Sequence, residues 1–61
     1  MKEFQNLIGL TIEDASKIYT NGKIRVTKNN GQNTRITMDS IPTRLNVAVV
    51  DGKISEILRF G

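Results

Sequence analysis

Cysteine and histidine are both absent from this 61-residue chain. Without a thiol there is no disulfide framework, thiolate metal site or cysteine nucleophile. Without an imidazole, the usual general base, the Ser-His and Cys-His arrangements and the common zinc sites are gone too. Six carboxylates remain for acid–base work or hard metals. The expectation is a protein that is not an enzyme and holds no metal or cofactor. Proline occurs once, at Pro42, and aromatic residues three times, at Phe4, Tyr19 and Phe60. None of the three stands among the basic residues, so no stacking platform for nucleic acid is evident. Gly22 and Gly31 are isolated turn glycines, not a phosphate-cradling loop. No apolar run approaches the roughly eighteen residues of a membrane span, and none follows Lys2 in the manner of an export signal. A cytoplasmic protein without membrane contact is expected.

A chain of this length makes one domain that buries only about 60% of the surface its unfolded form exposes. The core must be compact, and a buried cofactor pocket has no room. Net charge is +3, and its distribution is uneven. No acidic residue lies between Asp14 and Asp39, whereas Lys17, Lys23, Arg25, Lys28 and Arg35 all fall there. That interval reads either as a solvated face or as a surface for an anionic partner.

Thr11 stands three residues before Asp14, a capping-box variant that predicts a helix starting at Thr11. Ile12, Ala15, Ile18 and Tyr19 then supply one apolar face, with Tyr19 half buried and its hydroxyl at the surface. Asn21-Gly22 is the expected stop. From Lys23 the period changes to two, with Ile24 and Val26 facing inward, until the turn signal Asn29-Asn30-Gly31. Arg35-Ile36-Thr37 either returns as a second short strand or already belongs to an irregular loop. Leu45, Val47 and Val49 alternate with Asn46, Ala48 and Val50. Asp51-Gly52 is a two-residue turn of the type I′ class, and Lys53 to Phe60 runs back as the partner strand. The result is an α+β domain: one helix on a mixed β-sheet, with an exposed loop before the C-terminal hairpin. Phe4 and Phe60 are expected at the core or its edge. The loop is long for so small a domain, and Pro42 stiffens it while Arg44 offers five guanidinium donors to brace it.

Leu7-Ile8-Gly9, Thr11-Ile12-Glu13-Asp14-Ala15, Thr37-Met38-Asp39, Arg44 and Arg59-Phe60-Gly61 occur in an order that resembles the potato inhibitor I family of serine-protease inhibitors. Pro42-Thr43-Arg44-Leu45-Asn46-Val47 and Asp51-Gly52-Lys53-Ile54 are similar to its bacterial relatives, the I78 peptidase-inhibitor family. The resemblance implies a single domain over residues 1–61 whose loop enters a subtilisin- or chymotrypsin-like active site as a substrate would. It makes Thr37, Met38, Asp39, Ser40 and Ile41 the inhibitory loop, with Met38 in the specificity pocket and Met38-Asp39 the targeted bond. Arg44 and Asn46 become the loop's support. Ser40 and Ile41 replace the aromatic and basic residues that family members often carry there, and Asn46 replaces a second supporting arginine.

A different class of function competes with this one. Arg25, Lys28, Arg35 and Arg59 suit a small anionic ligand such as a nucleotide signal. Arg25 and Arg35 would form a clamp if their segments pair across Asn30-Gly31. Such a ligand would be enclosed jointly by the subunits of a homo-oligomer. A third reading has the strands pairing with a partner sheet or a second copy, since Val47 to Val50 is apolar on both faces.

Overall fold

In the computed structural model, which describes residues 2–35 and 39–61 and only the backbone of Lys2 and Glu3, Thr11 caps the single α-helix, α1 (Ile12–Ile18). Its backbone is extended and its Oγ1 accepts a hydrogen bond of 3.2 Å from the Asp14 amide. Glu13 and Asp14 in the first turn and Lys17 in the last complement the helix dipole. Replacing Thr11 by alanine is expected to cost about 1 kcal/mol in urea unfolding, and Thr11→Ser to keep most of it. An unchanged midpoint in Thr11→Ala would show that the cap contributes nothing.

The helix stops at Ile18, ahead of the Asn21-Gly22 signal. Tyr19 is already extended (φ −89°, ψ 101°), although its amide still reaches the Ala15 carbonyl at 2.8 Å. The apolar face narrows accordingly. Ala15 is fully buried, Tyr19 is buried as well and not half exposed, and Ile18 points outward at 54% exposure. A short 3-10 helix, Lys2–Leu7, precedes α1 and was not legible as a helix. Beyond it, the Gly9 amide donates to Ile54 O (2.7 Å) and the Ile54 amide to Leu10 O (2.8 Å).

Four strands, β1 (Ile24–Asn29), β2 (Gln32–Asn33), β3 (Leu45–Val50) and β4 (Lys53–Phe60), form one mixed sheet in the order β2-β1-β3-β4. The domain is therefore α+β, as expected. β1 and β3 run parallel, and β4 returns antiparallel to β3. Asp51 (φ 53°) and Gly52 (φ 80°) both take the left-handed region at the β3–β4 turn, as type I′ requires. Asn30 (φ 51°) and Gly31 (φ 82°) do the same between β1 and β2. The two turns are joined, because Asn30 Oδ1 accepts from the Asp51 amide at 2.8 Å and the Asn30 amide donates to Val49 O at 2.9 Å. The returning strand covers only Gln32–Asn33, earlier than the 35–37 segment considered from sequence, of which 36 and 37 lie outside the described residues.

Leu45, Val47 and Val49 line the inner face of β3 and meet Leu7, Ala15, Tyr19 and Ile54 in the core. Ala15 is the buried residue by which α1 joins this core. Phe4, Tyr19 and Phe60 close one end, with the Phe4 ring edge-on to Tyr19 at 5.5 Å and to Phe60 at 5.6 Å. β3 is a central strand, buried from Leu45 to Val49 and exposed at Val50.

Candidate binding loop and its support

Because β1 and β3 are parallel, the chain leaving β1 must travel back along the sheet before β3 begins, and residues 39–44 form the last part of that return. Pro42 and Thr43 are the middle residues of a turn closed by the Arg44 amide on Ile41 O at 3.0 Å. Proline suits the second position of such a turn because its φ is already set. Asp39, Ser40 and Ile41 are exposed, and Ile41 presents an apolar side chain to solvent. Thr37 and Met38 lie outside the described residues.

Arg44 braces this loop. Its side chain is only 12% exposed, and its planar guanidinium is bonded along two edges. Nε donates to Gly61 O at 2.9 Å, Nη1 to Asp39 Oδ2 at 3.3 Å and Nη2 to Asp39 O at 3.2 Å. One arginine thus links the end of the sheet to both the main chain and the carboxylate of Asp39. The Gly61 amide in turn donates to Arg44 O at 3.0 Å.

Asn46 serves the loop differently from the expectation. It is buried, and its Nδ2 donates to Arg59 O and Gly61 O, each at 3.2 Å. Its Oδ1 accepts from Arg25 Nε at 2.7 Å, and Arg25 Nη2 also reaches Gly61 O at 3.3 Å. Asn46 is therefore bonded not to the loop but to the Gly61 segment on which Arg44 rests. Arg25 supplies the charge at this layer of the support. Its pairing with Asn46 follows from the β1–β3 register and has no signal in local sequence.

Two further supports were missed from sequence. The Tyr19 hydroxyl donates to Thr43 O at 2.6 Å, and Gly22 lies directly against the Thr43 backbone, where a Cβ would come within 2.8 Å of the Thr43 carbonyl carbon and Cβ. Tyr19→Phe keeps the ring packing but deprives that carbonyl of its donor, and is expected to cost about 1–2 kcal/mol in chemical denaturation. A variant as stable as the parent would mean that water replaces the hydroxyl without loss.

The basic residues divide. Arg25, Lys28 and Arg59 line one open hollow of about 540 Å³ on the sheet, together with Thr27, Asn33, Thr34, Asn46 and Leu58. Arg35 is not among the lining residues, and the strand pairing on which an Arg25–Arg35 clamp depends stops short of Arg35. The ladder beyond the Asn30-Gly31 turn ends at Asn33; the Thr34 amide adds one more main-chain bond to Thr27 O at 3.1 Å, and Thr34 Oγ1 donates to Val26 O at 2.7 Å. The hollow is formed within one chain and is open to solvent.

No family model matches this chain, and no curated protein does. Its chemistry must therefore be read from its own side chains. Among the described residues, no group of histidine, cysteine, aspartate and glutamate is placed to hold a metal ion. No helix there is long and apolar enough to cross a membrane. The Asp39 carboxylate is engaged by Arg44. This arrangement is suited to holding a backbone in place.

Proposed function

We propose that the protein is a non-catalytic inhibitor of subtilisin- or chymotrypsin-like serine proteases, presenting the Met38–Asp39 peptide bond as a substrate would. The observation that carries this reading is the grip of Arg44 on Asp39 through both its carbonyl and its carboxylate. A segment held in this way loses little conformational entropy when a partner binds it. If the protease cuts before Asp39, the newly formed amine stays on a residue still fastened by Arg44, so it remains positioned for religation and the protease stays occupied. The roles of Thr37 and Met38 rest on the family resemblance, and those of Ser40 and Ile41 on their exposure beside the braced residue. Methionine is a suitable bait because it is unbranched, apolar and adaptable.

The test is titration of both protease classes with the parent protein and with Met38→Gly. Tight inhibition by the parent is expected, weakened about 10- to 100-fold once the side chain that fills the specificity pocket is removed. Absence of inhibition by a folded parent protein would end this reading.

A further inference from the structure

The hollow on the sheet has a structural cause. On the face turned away from the core, β3 carries the small side chains of Asn46 and Ala48, while its neighbours carry long ones in the same rows. Arg25, Asn46 and Arg59 stand side by side across β1, β3 and β4, and Lys28, Ala48 and Glu56 make up the next row. A low central strand between tall flanks is a trough. Three cations face one carboxylate across these two rows, so the trough is positive.

We propose that this trough binds a small aliphatic phosphate, such as a sugar phosphate, with the phosphate over Asn46 between the Arg25 and Arg59 side chains and the Lys28 ammonium at one end. Strands are spaced about 4.8 Å apart, which sets the Arg25 and Arg59 Cα atoms roughly 10 Å from each other, a separation from which two arginine side chains can converge on one tetrahedral anion. Arg25 is held in place by Asn46 and Gly61, so its charge is fixed before any ligand arrives. Asn46 has its amide and carbonyl occupied by Arg25, Arg59 and Gly61 and acts as a rigid floor. Lys28 and Arg59 are exposed and provide the adjustable contacts. The carbon skeleton of the ligand would lie against Leu58, which is 39% exposed, and near the polar side chains of Thr27 and Asn33. No aromatic ring lines the trough, so a nucleobase would find nothing to stack on, which favours a sugar phosphate over a nucleotide.

The test is an amide chemical-shift titration of the full chain with ribose 5-phosphate at low salt, alongside unphosphorylated ribose. Saturating shifts are expected at Lys28, Thr34 and Arg59 with the phosphate and none with ribose. Lys28→Gln and Arg59→Gln, each with the remaining spectrum unchanged, should weaken binding by about tenfold or more. Two results would overturn the proposal. One is a drift without saturation that affects Lys17 and Lys53 equally, which is general ionic attraction. The other is a single-stranded oligonucleotide that displaces ribose 5-phosphate and binds more tightly, which makes the face a nucleic-acid surface.

Discussion

Arg44→Ala is expected to raise the inhibition constant against a subtilisin-like protease about 10- to 100-fold and to speed cleavage of the loop. The side chain makes three hydrogen bonds, two to Asp39 and one to Gly61 O. Bonds from a charged donor contribute about 1.5–3 kcal/mol, and each 1.4 kcal/mol corresponds to tenfold in affinity. The Coulomb attraction alone would predict less, since Asp39 is 51% exposed and an ion pair this accessible is worth at most about 1 kcal/mol. The larger effect comes from geometry. Without the guanidinium, Asp39 loses both of its bonds from Arg44, and the protease must restrain the loop further at its own expense. Arg44→Lys separates charge from shape, because an ammonium cannot span Gly61 O and both oxygens of Asp39 in one plane. It should recover only part of the loss. If Arg44→Ala folds and inhibits as tightly as the parent, the brace has no part in inhibition.

Gly22→Ala is expected to be the most damaging single substitution for the fold, at about 2–4 kcal/mol. The added methyl would sit 2.8 Å from both the carbonyl carbon and the Cβ of Thr43, with the carbonyl oxygen closer still. Carbon atoms prefer about 3.5–4.0 Å. The obstacle is backbone and cannot rotate aside, so Gly22 and Thr43 would have to part. Parting them strains the Tyr19–Thr43 bond of 2.6 Å and the neighbouring Leu45–Lys23 main-chain bond of 2.8 Å. The φ of Gly22 is not in the left-handed region, unlike those of Gly31 and Gly52, so this cost is steric and owes nothing to backbone preference. In a domain this small, each 1 kcal/mol lowers the melting temperature by about 4–8 °C, and a thermal melt of the variant should show a fall of 10 °C or more. A fall of only a degree or two would mean that the Thr43 segment yields readily and that the loop is not firmly seated.

The contrast between these residues shows what the sequence could express. Thr11, Asn30-Gly31 and Asp51-Gly52 act within a few residues of themselves, and each was legible because capping and left-handed turns have local chemical signatures. Arg44 was legible as a brace from its five donors at the end of a long loop, and the family resemblance supplied the partner it would hold. Gly22 read as a helix stop, yet its lack of a side chain answers to Thr43 across the fold. Tyr19 read as an amphipathic helical residue, and the same remote carbonyl holds its hydroxyl in a buried position. Arg25 read as a member of an exposed basic set, and the strand register brought it to Asn46 instead. In all three cases the partner is more than twenty positions away, where periodicity carries no information. For a related reason the sequence leaves open whether the chain after Gly31 returns as a strand or a loop: Thr34 donates to Val26 O through its side chain, and the ladder stops at Asn33.

The measurement closest to the central claim is the fate of the Met38–Asp39 bond during prolonged incubation with a small amount of subtilisin, followed by mass spectrometry while residual protease activity is recorded. A substrate-like loop fastened by Arg44 predicts that the protease is inhibited while most of the protein stays intact, and that any cut falls between Met38 and Asp39. Rapid and complete cleavage with full protease activity, or a protease unaffected by an uncut protein, would contradict it.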